Sequence, residues 1–372
     1  MPGHQAPVSA LAFAPDGRLF SASQDLRVIA WKPLNRRDRV DSVDGALEMN
    51  ASALTSDGAM LALATKDGRV IRGSSDGTGG FATDRLHTAA VNSVAFSTDR
   101  RWLASGGADH KVVLRAVDAS ASRATLLENN DAQVWGVAFS PDGRWLASAC
   151  DDNSVMVWNL NTRELARRLQ GHGNWVYGVA FSPDGRWLAS SGGDHSVIVW
   201  DVSSGALVRK LDGHTKASNG IAFSADGQWL ASAGDDRQVI LWRTRDWSRA
   251  ATLAGHSAEV WAVTFSPDSR MLASASWDQS VALWDVASGR MSAQLRRDEG
   301  PLNSVAFMPD GKRLVASGNG RSVHLFDVDV ASWPVRACRV ANRNLSIAEW
   351  RQYLGDELPY AAVCPELPMI AP

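Results

Sequence analysis

Three side-chain types that could do chemistry recur together along this 372-residue chain: a histidine, a serine 17 or 18 residues later, and an aspartate four residues after the serine. Such a group could form a nucleophilic triad, in which histidine takes the serine proton and aspartate orients the imidazole. A tryptophan follows each aspartate by six residues. Four sets are complete: His4, Ser21, Asp25 and Trp31; His172, Ser190, Asp194 and Trp200; His214, Ser232, Asp236 and Trp242; and His256, Ser274, Asp278 and Trp284. A single active site would not recur four times, so a structural role in offsetting the desolvation of a buried aspartate is favoured.

These sets belong to a longer repeat. Residues 171–201 read GHGNWVYGVAFSPDGRWLASSGGDHSVIVWD, and residues 255–285 read GHSAEVWAVTFSPDSRMLASASWDQSVALWD. A period of about 40–45 residues, with Gly-His near its start and Trp-Asp near its end, is that of WD40 repeats. From Gly3 to Asp327 the chain resembles the WD40-repeat family. One apolar position recurs every 41 to 43 residues, at Phe13, Leu54, Phe96, Phe139, Phe181, Phe223, Phe265 and Phe307.

Each repeat contains four short strand patterns separated by turn residues. In the fifth repeat the predicted strands are Val176–Phe181, Trp187–Ser190, Ser196–Trp200 and Ala206–Leu211, with a Ser-Pro-Asp-Gly turn at 182–185. A lone small sheet cannot bury both faces, so neighbouring sheets must stack and the ring must close. We predict an all-β WD40 propeller over residues 1–331. Eight repeats favour eight blades, and seven blades with one displaced repeat is the alternative.

Four repeats depart from the pattern. The third has Arg115 in place of the tryptophan, and the fourth lacks the histidine. The second keeps Asp67 but little else of the set, and the eighth has Gly320 and Phe326 in place of aspartate and tryptophan. We expect repeats 4 to 7 to be the most regular, and the degenerate second repeat to open most readily in hydrogen exchange.

Composition and cysteine usage limit the class of protein. A hydrophobic content of 45% suits a large core, and a net charge of −2 argues against general binding of nucleic acid or anionic membrane. The sequence shows no signal peptide or membrane-spanning run. Three cysteines without a secretory signal predict a reduced, cytoplasmic chain. A bridge between Cys338 and Cys364 is the alternative, which thiol titration of the denatured chain would reveal.

The repeat stops after Asp327, and residues 332–372 are predicted to form a helical tail packed on the propeller. Ser346 and Glu349 form a capping box before a short helix at Ile347–Leu354, which ends at Gly355. This tail resembles one found after WD40 repeats in large bacterial signalling proteins, among them STAND NTPases and caspase-like fusions. The resemblance implies a sensor or regulatory domain for an effector or NTPase module of a longer parent protein. Either such a parent supplies the strand that closes the ring, or the tail does.

The family resemblance also implies where a partner binds. Propellers bind partners chiefly on the face formed by the segments before the first strand and the turns between the second and third strands, here called the top face. Aromatic residues dominate protein-binding hot spots. The predicted partner-binding residues are Trp135, Trp175, Tyr177, Trp261, Trp277, Asp151, Asp235, Glu259, Asn92 and Asn303. The alternative is that these tryptophans are repeat consensus packed between loops. Four other tryptophans recur before the Leu-Ala-Ser segments and are predicted to pack between blades: Trp102, Trp145, Trp187 and Trp229.

Catalysis is not predicted. The first strands, which line a propeller's channel, contain no Asp, Glu, His, Lys, Arg or Cys, so they offer no metal ligand or general base. We therefore expect no metal and no cofactor. The predicted function is a non-catalytic platform for protein–protein interaction, with neither nucleic acid nor membrane as partner. A constitutive structural scaffold and a small-ligand sensor at the channel mouth are the alternatives.

Overall fold

Among the residues that the structure, a computed structural model, describes, thirty short strands form eight antiparallel sheets. The structure describes residues 8–13, 19–23, 28–31, 49–55, 60–74, 81–117, 124–128, 132–296, 300–307, 311–318 and 324–329. Sheet 1 is formed by β1 (Val8–Phe13), β2 (Leu19–Ser23) and β3 (Val28–Trp31), and sheet 2 by β4 (Met49–Leu54), β5 (Met60–Thr65), β6 (Arg69–Ser74) and β7 (Phe81–Arg85). Sheet 3 is formed by β8 (Val91–Phe96), β9 (Trp102–Gly107), β10 (Lys111–Ala116) and β11 (Thr125–Glu128), and sheet 4 by β12 (Val134–Phe139), β13 (Trp145–Cys150), β14 (Ser154–Asn159) and β15 (Glu164–Gln170).

The second half continues the same pattern. Sheet 5 is formed by β16 (Val176–Phe181), β17 (Trp187–Gly192), β18 (Ser196–Asp201) and β19 (Leu207–Asp212), and sheet 6 by β20 (Ser218–Phe223), β21 (Trp229–Gly234), β22 (Gln238–Arg243) and β23 (Arg249–Ala254). Sheet 7 is formed by β24 (Val260–Phe265), β25 (Met271–Ser276), β26 (Ser280–Asp285) and β27 (Arg290–Arg296), and sheet 8 by β28 (Leu302–Phe307), β29 (Arg313–Gly318) and β30 (His324–Asp327). Each sheet is a meander whose spatial order follows the chain. The apolar residue that marks the period ends the first strand of all eight sheets.

The turn between the first two strands explains why the strands form where they do. In sheet 5 the backbone N–H of Trp187 donates to Ser182 Oγ at 2.9 Å, and that of Arg186 donates to Asp184 Oδ1 at 3.0 Å. Gly185 has φ of +70°, a conformation that costs glycine little. The Ser-Pro-Asp-Gly sequence thus closes the hairpin.

The hydrophobic core lies between neighbouring sheets. Ala147, Val157 and Leu169 of sheet 4 pack with Leu188 and Trp200 of sheet 5 in one buried cluster. Equivalent clusters join sheets 2 and 3, 3 and 4, 5 and 6, 6 and 7, and 7 and 8. The four tryptophans predicted to pack between blades, Trp102, Trp145, Trp187 and Trp229, lie partly buried against these clusters.

The first strands lie side by side in chain order. Strands β1, β4, β8, β12, β16, β20, β24 and β28 contact one another in succession, and β1 also contacts β28 and β29. This all-β arrangement is consistent with a WD40 propeller. The second sheet keeps four strands in spite of its degenerate sequence. Sheets 1 and 8 have three strands each among the described residues, while the tail at 332–372, with its predicted helix, Cys338 and Cys364, lies outside them.

Candidate functional site

The recurring His-Ser-Asp-Trp sets are closed hydrogen-bond networks inside the sheets. In sheet 5 His172 Nδ1 lies 2.8 Å from Asp194 Oδ1, and His172 Nε2 lies 2.8 Å from Ser190 Oγ. The Trp200 indole N–H donates to the same hydroxyl oxygen at 2.9 Å. Ser190 is fully buried, so no substrate can reach its hydroxyl. The arrangement that resembles a hydrolase triad in sequence is thus an internal polar network.

Sheet 6 repeats this geometry. His214 Nδ1 lies 3.0 Å from Asp236 Oδ1, and His214 Nε2 lies 2.9 Å from Ser232 Oγ. The Trp242 indole N–H donates to Ser232 Oγ at 3.1 Å. Ser232 is fully buried and Trp242 is only 3% exposed, so neither side chain is available to a substrate or a partner. Both residues therefore belong to the buried hydrogen-bond network inside the sheet.

Sheet 7 contains the third complete network that the structure describes. His256 Nδ1 lies 2.9 Å from Asp278 Oδ2, and His256 Nε2 lies 2.8 Å from Ser274 Oγ. The Trp284 indole N–H donates to Ser274 Oγ at 2.8 Å, and both Ser274 and Trp284 are buried. The remaining predicted set lies outside what the structure describes: His4 and Asp25 entirely, and Ser21 and Trp31 in their side chains.

The aspartates of these sets stay ionised because their hydrogen bonds outweigh their burial. Burial raises the pKa of Asp194, but hydrogen bonds from His172, the Gly173 N–H and the Ser196 hydroxyl hold that pKa well below its usual range. The balance has the same sign at Asp278, where Ser280 supplies the hydroxyl. The sequence pattern missed these serines, although one follows the turn aspartate by two residues in three sheets: Ser154, Ser196 and Ser280.

Repeats 3 and 4, two of the four irregular repeats, depart from the network in different ways. Sheet 3 keeps the histidine bonds, with His87 Nδ1 2.7 Å from Asp109 Oδ1 and His87 Nε2 2.8 Å from Ser105 Oγ. Arg115 replaces the indole and forms an ion pair with Asp84 of sheet 2. In sheet 4 the buried Nε1 of Trp158 has no hydrogen-bond partner among the described residues.

A β-bulge at the start of each first strand builds the top face. In sheet 5 the pairing of β16 with β17 shifts register between Val176 and Gly178, which leaves Tyr177 out of the ladder. The same shift leaves out Trp135 in sheet 4 and Trp261 in sheet 7. A bulge bends the strand and re-aims the extra residue. The local backbone, rather than the ring as a whole, thus directs these aromatic side chains.

The turn between the second and third strands is hydrogen-bonded to the segment just before the first strand, close to this bulge. The backbone N–H of Gly193 donates to the Trp175 carbonyl at 2.8 Å, and that of Trp277 donates to the Glu259 carbonyl at 2.9 Å. Matching bonds in the other regular sheets join Asp151 to Gln133 and Asp235 to Ala217. In sheets 4 to 7 a backbone hydrogen bond therefore joins the segment before the first strand to the turn between the second and third strands, the two parts of the predicted top face.

Three aromatic side chains from two sheets form a cluster that we call the aromatic triad. The ring centroids of Trp135 and Trp175 are 6.4 Å apart with planes inclined at 22°, and Tyr177 stands edge-on to both at 6.1 and 6.5 Å. Trp135 is 36% exposed and Trp175 46% exposed, while Tyr177 is half-buried. Burial, and then the Asp235 carboxylate, raise the pKa of the Tyr177 phenol.

A second aromatic group, the indole pair, lies in sheet 7. Trp261 and Trp277 stack with centroids 5.1 Å apart and planes inclined at 16°, and each is nearly two-fifths exposed. Sheet 6 lies between the two groups. There Asn219 Nδ2 donates to Asp235 Oδ1 at 2.6 Å, a contact that the sequence pattern did not predict.

The remaining predicted residues have internal contacts of their own. Asn92 Nδ2 donates to the Val134 carbonyl of the next sheet at 2.9 Å, and Asp151 Oδ1 accepts the Gln133 N–H at 2.7 Å. Glu259 is half-buried beside the indole pair. The Asn303 side chain lies outside what the structure describes. The structure thus brings together Trp135, Trp175 and Tyr177, and separately Trp261 with Trp277, while the role of all ten residues in partner binding stays a prediction.

The fold and its repeated polar sets are those of an all-β repeat protein and are consistent with a WD40 propeller, and comparisons with known proteins find WD40 and β-propeller family models that match parts of the chain. The family model for the Echinoderm microtubule-associated protein second beta-propeller matches residues 134–298. The model for the WD domain, G-beta repeat, matches residues 1–32, 82–114 and 290–327. WD40 propellers generally mediate protein–protein interactions and are typically non-catalytic.

One curated relative overlaps part of the chain. The Periodic tryptophan protein 2 homolog of Neurospora crassa is 29% identical over 136 residues, which cover 31% of this chain and 15% of that protein. The aligned part is therefore a small fraction of the relative.

Metal ligands and membrane-spanning segments are two further features that would indicate a function. Within the described ranges, no group of three His, Cys, Asp or Glu side chains is arranged to hold a metal ion. The same part of the chain contains no helix with the length and apolar character needed to cross a membrane.

Proposed function

We propose that this chain is a non-catalytic platform that binds a partner protein through its top face. The observation that supports this most strongly is the set of four exposed tryptophans, two of them lifted out of the strand ladder by a bulge. Exposed tryptophan is costly to leave in water, and Trp and Tyr are the residues that dominate interface hot spots. Neighbouring loops bring Trp135 and Trp175 together in one group and Trp261 and Trp277 in another, as a binding surface requires.

We further propose that the ring has eight blades. Eight sheets, the unbroken succession of contacts between first strands and the contact of β1 with β28 and β29 support this number. The role of the tail in completing sheet 1 or sheet 8 belongs to the same proposal.

A more specific proposal concerns the regulatory role of the platform. The tail sequence at 332–372 resembles those of bacterial signalling proteins, and this supports a cytoplasmic sensor domain that acts on an effector or NTPase module.

A pull-down from lysate of the source cells tests the proposed function. The wild type is compared with a Trp135→Ala/Trp261→Ala/Trp277→Ala variant, and captured proteins are identified by mass spectrometry. We expect a partner that the wild type captures and the folded variant loses. Equal capture by both would place the interaction on another face or on the tail, and capture of nothing by the wild type would favour a small ligand instead.

A further inference from the structure

The aromatic triad has the shape of a site for a cation. Its three ring centroids form a nearly equilateral triangle with sides of 6.1 to 6.5 Å. The centre of that triangle is about 3.7 Å from each centroid, so a positive group seated close above it is within the roughly 6 Å distance over which a cation attracts an aromatic face. The two indoles are inclined at 22° to each other and are each more than a third exposed, so such a group can reach the cluster from solvent.

Elsewhere in the chain, tryptophans of the same repeats are already covered by arginine. The guanidinium carbon of Arg186 lies 4.3 Å from the centroid of Trp187, the shortest of four such contacts among the described residues. The other three pairs are Arg163 over Trp102, Arg167 over Trp145 and Arg243 over Trp229. By contrast, within the described ranges no cation of the chain lies over Trp135 or Trp175. These indoles are more exposed than the covered ones, so part of each ring is accessible to a cation from another molecule.

The charge beside the triad has the right sign. The Asp235 carboxylate accepts the Asn219 amide at 2.6 Å, and the Asn219 backbone carbonyl in turn accepts the Ser191 hydroxyl of sheet 5, the sheet of Trp175 and Tyr177, at 3.0 Å. The loops of sheet 6 also contain two exposed cations, Lys216 and Arg237. A cation in the triad therefore meets aromatic faces together with a nearby anion.

We propose that the aromatic triad, with Asp235 beside it, binds an arginine side chain presented by the partner protein. Arginine fits better than lysine because its guanidinium is planar and weakly hydrated, stacks on indole rings, and keeps N–H donors at its edge for a carboxylate. This inference rests on the proposed function and names the chemical group that the top face recognises.

Two peptides that differ only in charge test the proposal. The probes are acetyl-Gly-Gly-Arg-Gly-Gly-amide and the same peptide with citrulline, which keeps the planar shape but is neutral. Binding to the full chain is followed by NMR through the indole N–H signals of ¹⁵N-tryptophan. We expect the arginine peptide to bind about tenfold more tightly than the citrulline peptide, a ratio in the range of desolvated cation–π contacts. This comparison uses the unaltered protein, so it does not depend on any variant folding.

Variants then locate the site. Trp135→Leu/Trp175→Leu keeps apolar bulk but removes the ring faces, and we expect it to lose the preference for arginine over citrulline. Trp261→Leu is the matched control, because it removes an equally exposed indole of the same face outside the triad. Asp235→Asn should weaken arginine binding and reduce its dependence on salt.

The outcomes distinguish failure of the arginine site from failure of the proposed partner-binding function. Equal binding of the two peptides, or an undiminished preference in the double leucine variant, would overturn the arginine site. Tighter binding of a trimethyllysine peptide would replace arginine with a quaternary ammonium as the occupant. If the alanine variant still loses its partner in the pull-down while arginine and citrulline bind alike, the interaction surface stands and only the arginine site is lost.

Discussion

Arg115 and Asp84 form an ion pair across the boundary between sheets 3 and 2, with Nη1 and Oδ1 2.9 Å apart. Arg72 approaches the other carboxylate oxygen of Asp84 at 3.1 Å, and all three side chains are at least three-quarters buried. At the same repeat position, sheets 5 to 7 place an indole in an apolar cluster. The boundary between sheets 2 and 3 therefore has buried ion pairs beside its apolar cluster, at a position where sheets 5 to 7 have an indole.

Removal of the shared carboxylate should be costly. We expect Asp84→Asn to lower the free energy of unfolding by about 2–4 kcal/mol, because it leaves two arginines with little solvent and no counter-charge. Arg115→Ala should cost less, since Asp84 keeps Arg72. Urea unfolding gives both values. Arg101→Ala is the control, because its pair with Asp99 is exposed and should contribute less than about 1 kcal/mol. Equal losses for Asp84→Asn and Arg101→Ala would contradict this account.

The polar networks predict a difference between two serines at equivalent strand positions. Ser190 and Ser148 are both fully buried, but Ser190 Oγ contacts His172 Nε2 and accepts the Trp200 N–H, whereas sheet 4 lacks the histidine. Ser190→Ala should therefore cost about 2–3 kcal/mol, because it leaves two buried polar groups without partners. Ser148→Ala should cost less than about 1 kcal/mol in the same urea experiment. A loss at Ser148 as large as that at Ser190 would show that the network adds no specific stability.

The pH dependence of stability should have two phases. Burial lowers the pKa of His87 more than its hydrogen bond to Asp109 raises it. Below about pH 6.5 the unfolded chain therefore takes up a proton that the folded chain resists, and stability should fall. Asp194, Asp236 and Asp278 have lowered pKa values, so their contribution is complete above about pH 4 and is lost at lower pH.

Chemical unfolding between pH 8 and pH 3 measures both phases. His87→Gln should flatten the part of the curve just below pH 6.5, and Asp194→Asn should reduce the fall below about pH 4. If stability rises as the pH drops from 6.5 to 5, the direction assigned to His87 is wrong.

The sequence predicted the strands, the polar sets and the apolar cores between sheets, because these depend on residues that recur in register. Phe181 and its equivalents end their strands as expected, and the bonds that join Ser232 to Trp242 and Ser274 to Trp284 follow from one spacing. The Arg115–Asp84 pair could not be predicted, since it joins two irregular repeats that share no pattern. The contact of Trp135 with Trp175 also escaped, because it depends on how a bulge aims one side chain toward the next sheet.

The exposed tryptophans should contribute little to stability. Because they lie largely outside the apolar clusters, we expect the Trp135→Ala/Trp261→Ala/Trp277→Ala variant to melt within a few degrees of the wild type. Trp229→Ala, which removes a ring packed between sheets 6 and 7, should lower the melting temperature more than all three together. Thermal unfolding followed by circular dichroism gives the comparison, and a steep loss in the triple variant would make its residues part of the core.

Hydroxyl-radical footprinting, read by mass spectrometry on the free chain and on its complex with the captured partner, tests the location of the binding surface most directly. The account predicts that oxidation of Trp135, Trp175 and Trp261 falls several-fold in the complex, while oxidation of Trp102, Trp145 and Trp229, which pack between the sheets, is unchanged. Protection confined to those three packed tryptophans, with the top-face tryptophans as reactive as before, would contradict it.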